Sequence, residues 1–237
     1  MSKKKDFVWV ASIDIGKKNF AFCIEEFDRS ELFKIKNIPS TKRYNPDGTP
    51  TESMQEILEQ ICSNGKIVLH ENLDLTENCD PKLKLDPETF HNMIDALDQY
   101  KDYWDKCLAF VIEEQMSFGK KINKMAMKLG QHCYSYFTFL YGRYKQVIEF
   151  PAYHKTQVLG AEKVEGKPYK SGKKRYKAVE KGARKKWAVN KAIEILTGRG
   201  EIDVLENLTG KSKKDDLSDV ICQLQAAKYK IFVDKCL

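Results

Sequence analysis

Among 237 residues there is no run of about 18 apolar side chains, so no membrane-spanning helix is expected. The start, Met1-Ser2-Lys3-Lys4-Lys5-Asp6, is basic, but Asp14 interrupts the apolar stretch behind it, so it does not read as a secretory signal. The seven cysteines (Cys23, Cys62, Cys79, Cys107, Cys133, Cys222 and Cys236) are odd in number and lack C-x-x-C spacing. Neither a disulfide framework nor a zinc site is expected, and a reducing intracellular compartment is the simpler reading. The four histidines are scattered without an H-x-x-x-H pair. No internal repeat occurs.

What is present suits one domain with a real core. Hydrophobic residues make up 42% and aromatics 11%, which excludes wholesale disorder. The net charge of +7 is unevenly distributed. Residues 163–191 hold twelve lysines and arginines against two glutamates, so the rest of the chain carries only about −3. A mildly acidic body with one basic segment points to a polyanion bound at one place.

Residues 7–15 (FVWVASIDI) read as a buried central strand, Gly16 to Asn19 as a turn and Phe20 to Phe27 as the returning strand. Either Glu31 to Ile38 or Lys66 to Leu73 fits the sheet edge. Helical spacing covers Glu52 to Cys62. Asp86-Pro87 opens a helix expected to reach Lys106. Leu108 to Ile112 is a buried strand ending in Glu113-Glu114-Gln115. A helix over 123–144, a strand over 146–150, a basic loop over 160–177, a helix over 178–197, a polar connection over 198–214 and a last helix over 216–232 follow. The order implies a mixed α/β sheet covered by helices, with its site beyond the carboxyl ends of central strands.

Acids stand at three such places. Asp14 ends the first strand, Glu113 ends the 108–112 strand, and Asp216 and Asp219 share one face at the start of the last helix. Asp215 is offset by about 100°. Each acid alone fits a turn or a helix dipole. Together they suit a divalent metal site, because oxygen ligands without histidine or cysteine favour Mg²⁺ or Mn²⁺. Two ions about 4 Å apart could activate water and stabilise the leaving oxygen in phosphodiester hydrolysis.

Four motifs carry a resemblance: S-I-D-I-G-K-K-N (12–19), I-E-E-Q (112–115), R-K-K-W-A-V (184–189) and K-K-D-D-L-S-D (213–219). In this order they resemble the Holliday junction resolvases of poxviruses and other large DNA viruses, relatives of the bacterial and mitochondrial resolvases. The resemblance spans Ile13 to Tyr229. It implies an RNase H-like fold, with a mixed five-stranded sheet flanked by helices on both faces. It also implies a homodimer and symmetric, Mg²⁺-dependent cutting of four-way DNA, with Mn²⁺ substituting and two ions per site. Asp14, Glu113, Asp216 and Asp219 match the metal-binding acids, and Glu114 falls at the variable position. Lys155, in Y-H-K-T-Q-V-L-G, resembles the family's active-site lysine. Lys185 and Lys186 resemble its basic residues. Residues 39–85 and the basic loop at about 160–178 look like insertions into a single domain covering 1–237.

The remaining expectations concern the partner. Lys170, Lys173, Lys174 and Arg175 suit DNA phosphates, with Tyr169 and Tyr176 placed to stack on unpaired bases. A nuclear-localisation tract or solvated loop reads the same residues differently. Lys120, Lys121, Lys124 and Lys128 form a second basic cluster, the first three of them expected to meet DNA. The implied role is viral DNA recombination or concatemer processing, in a cytoplasmic viral factory or the nucleus, with no membrane and no organic cofactor. The alternatives are a nuclease of the same fold without junction specificity and a DNA-binding module with a dead site.

Overall fold

The computed structural model describes residues 5–115, 122–211 and 213–236. Strand β1 (Phe7–Asp14) pairs antiparallel with β2 (Phe20–Asp28), and β2 pairs antiparallel with β3 (Lys66–Leu73). On its other side β1 pairs parallel with β4 (Cys107–Glu114), and β4 with β5 (Gln146–Pro151). The order β3-β2-β1-β4-β5, with β2 reversed, is the mixed five-stranded sheet of the RNase H-like fold. The edge strand is therefore 66–73. The competing segment, 31–38, is no strand. Asp28 caps a single turn, α1 (Arg29–Leu32), by accepting from Ser30 N at 3.0 Å. Leu32, Ile35 and Ile38 then recur every third residue and pack on the core, which imitated alternation.

Period-two alternation divides the sheet residues between two cores. Val10, Ala109 and Val111 face α2 (Glu52–Ser63), α7 (Lys181–Arg199) and α9 (Lys214–Lys228). Ala11, Ile13, Phe110 and Ile112 face α3 (Glu88–Gln99) and α5 (Lys124–Tyr141). The expected helix to Lys106 breaks at Tyr100, whose ring packs edge-on to Phe22, and resumes as α4 (Lys101–Trp104). The segment 39–85 supplies α2 and β3 to the body of the domain.

Three further elements differ from expectation. Lys155 lies on a short helix, α6 (Tyr153–Val158). The basic loop is a two-stranded antiparallel ribbon, β6 (Lys163–Gly166) with β7 (Arg175–Ala178). The polar connection contains α8 (Ile202–Gly210), anchored by buried Leu208. The last helix starts at Lys214 and passes into a π turn at Tyr229–Val233.

An ion cluster is sealed beneath the distal half of α9. The Glu25 carboxylate, wholly buried, accepts from Lys228 Nζ at 2.6 Å and from Arg199 Nη2 at 3.0 Å. Gln225 Nε2 donates to the same carboxylate at 2.6 Å. Burial opposes the charge on Glu25, but the two cations outweigh it and hold the carboxyl below its ordinary value. No helix among the described residues is long and apolar enough to cross a membrane.

Candidate active site

The acids meet because strand parity and helix placement agree. Ile13 is paired with Ile112 across the β1–β4 ladder, so the next residues along the two strands are Asp14 and Glu113. Parity turns Asp14 to the side of Val10 and Glu113 to the side of Val111, beneath α9. The same parity sends Glu114 to the opposite face, where it is exposed. The chain leaves β1 toward β2 while β4 lies on the other side, which makes this the crevice where α/β sheets place their sites.

Helix α9 brings Asp216 and Asp219 to that crevice. Its first turn is moored at two points. Lys213 Nζ donates to Asn19 Oδ1 at 2.8 Å, and His70 Nε2 donates to the Leu217 carbonyl at 3.0 Å. Asp219 receives Lys155 Nζ at 3.1 Å, and Glu113 receives it at 2.6 Å. Lys155 is 8% exposed. Burial disfavours its ammonium, but Glu113, Asp219 and Asp14 outweigh that and hold it above the usual lysine range.

Asp14 is the acid most short of positive charge. Burial first, then the Glu113 carboxylate, push it up to about 8 against the pull of Lys155, with Asp219 and Asp216 adding to the rise. Asp216 lies at the rim, half-buried, and is raised by burial and by Asp215. Asp215 points to α7, where Lys185 pairs with it. Lys185 was expected to meet DNA, and here its ammonium is engaged within the protein.

As they stand, no three ligating side chains among the described residues converge closely enough to hold a metal ion. The donor set nevertheless fits one. It is built from carboxylate oxygens, which suit a hard divalent cation, and its most desolvated member lacks compensating charge.

The other basic residues lie around this crevice or apart from it. Lys124 is exposed at the start of α5, whose N-cap is Asn123, and Lys186 is exposed on α7. Lys120 and Lys121 lie outside the described residues. On the ribbon, Lys170, Lys173, Lys174 and Arg175 are exposed. Tyr169 N donates to the Lys173 carbonyl at 3.0 Å, and the Arg175 guanidinium lies 5.6 Å from the Tyr169 ring centre. Tyr169 is exposed and Tyr176 half-buried. Lys163 N donates to the Asp47 carbonyl at 2.6 Å, which seats the base of the ribbon on the loop before α2. His70 and Gln223 escape sequence reasoning, since each acts on partners more than 100 residues away.

Fold and geometry together describe an α/β protein of RNase H-like fold in which a lysine bridges carboxylates at the ends of the central strands. No family model matches the chain. It is 36% identical over 247 residues to the uncharacterized protein 170L of Invertebrate iridescent virus 6, covering 96% of this chain and 92% of the relative. It is 29% identical over 224 residues to the uncharacterized protein 97L of Invertebrate iridescent virus 3, covering 92% and 98%. The chain belongs to the family of these iridescent virus proteins. Solved structures similar to it include the fowlpox virus Holliday junction resolvase, with a TM-score of 0.49 at 14% identity, covering 94% of this chain and 99% of that one. The yeast mitochondrial Holliday junction resolvase Ydc2 scores 0.46 at 16% identity, covering 96% and 86%. Thermus thermophilus RuvC scores 0.45 at 11% identity, covering 94% and 96%.

Proposed function

We propose that the protein is a structure-selective endonuclease that resolves four-way DNA junctions by metal-dependent phosphodiester hydrolysis. The observation that carries this reading is the convergence of Asp14, Glu113 and Asp219 from β1, β4 and α9 around the Lys155 ammonium. Asp14, Glu113 and Asp219 would hold Mg²⁺ or Mn²⁺, one ion or two, with Asp216 at the rim. The bound cation would supply Lewis-acid stabilisation and an activated water. Lys155 supplies a buried positive charge beside the position of a scissile phosphate, where charge builds in the transition state. The moorings of α9, from Lys213 to Asn19 and from His70 to the Leu217 carbonyl, fix the helix start that carries Asp216 and Asp219.

The exposed ribbon supports DNA binding, since phosphate contacts need charge and little else. Tyr169 offers a ring for an unpaired base. Symmetric nicking needs two sites, and the exposed Met127 and Phe139 on α5 are compatible with a homodimer. The proposed role is recombination or concatemer processing of viral DNA.

The test is cleavage of a labelled synthetic four-way junction with Mg²⁺, alongside linear duplex of the same sequence. Paired symmetric nicks, lost in Asp14→Ala and Asp219→Ala with junction binding retained, support the reading. Unchanged cleavage in both variants would sink it, and equal cutting of duplex would favour a nuclease without junction specificity.

A further inference from the structure

One buried amide ties together the elements that deliver the acids. Gln223 lies on α9 four residues beyond Asp219 and is 1% exposed. Its Nε2 donates to Ser12 Oγ at 3.1 Å, to the Ile13 carbonyl at 3.2 Å and to the Val111 carbonyl at 3.2 Å. Ile13 directly precedes Asp14, and Val111 stands two residues before Glu113. The two carbonyls fix the direction of the amide, because reversal would set its oxygen against them.

That orientation has a cost. Gln223 Oε1 is buried with no hydrogen-bond partner among the described residues. An unpaired buried acceptor is unfavourable, and a residue that only filled space here would avoid it. Val220, Ile221 and Leu224 at this depth of α9 are apolar, and the equally buried polar residues Ser218 and Gln225 each have a partner, in the Lys214 carbonyl and Glu25. The polar side chain therefore calls for a reason other than packing, and its three acceptors supply one.

We propose that Gln223 is a positioning residue, fixing the spacing of Asp14, Glu113 and Asp219 and hence their affinity for a divalent cation. The proposal rests on the metal-dependent reading above. It assigns Gln223 no contact with DNA or with the cation. Its effect passes through the strand ends, as outer groups around metal ligands commonly tune affinity.

The test uses the full chain, with Mn²⁺ as probe, followed by calorimetry and by electron paramagnetic resonance. Gln223→Met keeps length and apolar volume but removes both donors, and Gln223→Glu keeps shape but removes the amide. Both variants are expected to bind a four-way junction in EDTA as wild type does. Both are expected to bind Mn²⁺ about tenfold more weakly, with cleavage recovering as Mn²⁺ is raised. A merely structural role would lower the melting temperature and leave Mn²⁺ affinity intact below it. Mn²⁺ affinity within twofold of wild type in either folded variant overturns the proposal. Should neither fold, the side-chain amide resonance of Gln223 in the wild-type protein decides. It is expected to shift on Mg²⁺ titration, and no shift at saturation overturns the proposal. Failure of the underlying reading appears separately, as a wild-type protein that neither binds Mn²⁺ nor cuts the junction, and both ideas then fall.

Discussion

Lys155 Nζ sits 2.6 Å from Glu113 Oε2, and the same ammonium reaches Asp219 Oδ2 at 3.1 Å. The lysine thus links acids from β4 and α9. Without it, carboxylates would face one another in a desolvated crevice. Lys155→Met should cost about 3 kcal/mol of stability in EDTA, the scale for breaking a buried ion pair. Saturating Mn²⁺ should raise the melting temperature of Lys155→Met more than that of wild type, because an external cation then supplies the missing charge. Differential scanning fluorimetry with and without Mn²⁺ checks this. An equal Mn²⁺ response in the two proteins would contradict the compensating role.

Strand parity separates two adjacent glutamates. Glu113→Gln should reduce junction cleavage by at least about a hundredfold, while Glu114→Gln, on the opposite face, should stay within about twofold. Single-turnover cleavage of a labelled junction reads both. Equal losses would mean that β4 is shifted by one residue.

The ribbon makes a salt-dependence prediction. Replacing Lys170, Lys173, Lys174 and Arg175 by glutamine should weaken junction binding and flatten the slope of log affinity against log salt by up to about 4. Far-UV circular dichroism should not change, since these side chains are exposed. An unaltered slope, measured by gel shift from low to moderate salt, would place the DNA elsewhere.

His70 makes stability depend on pH. Burial holds its imidazole below the ordinary 6.5, although the bond to Leu217 partly opposes this. A base with a depressed value favours the neutral form in the fold. Its contribution is complete above the unfolded value of 6.5 and is lost as pH falls below it. Protonation would also place a proton on Nδ1, which is buried without a partner among the described residues. His70→Gln, which can still donate to the Leu217 carbonyl, should flatten the fall in melting temperature between pH 7.5 and about 5.5. Parallel curves for the two proteins would dismiss the effect.

Asp14 and Glu113 are legible in the sequence because each ends a short apolar run, a local pattern that parity converts into a direction. Asp216 and Asp219 are legible as a helix start. The partners of Lys155 are not, because Glu113 and Asp219 lie 42 residues before it and 64 after it. Gln223 gives no local signal either, because the helix is buried nearly all round and shows no polar face to set it apart. The ribbon escaped because both faces of β6 and β7 are largely solvated, so neither shows alternating hydrophobicity. The segment 31–38 misled for the opposite reason, since a three-residue spacing of Leu32, Ile35 and Ile38 passes for a strand when read two at a time.

Helix α9 follows all five strands of the sheet in the chain, yet it covers the sheet centre and carries half of the acids. A polypeptide leaving the ribosome therefore presents the sheet residues first and the α9 carboxylates after all of them. Glu25 must likewise wait for Arg199 and Lys228, so the two ends of α9 dock against partners made long before. Contacts across about 200 residues make this docking a late and slow event. A nascent chain thus holds Asp14 and Glu113 without Asp216 and Asp219 until α9 has been made and docked.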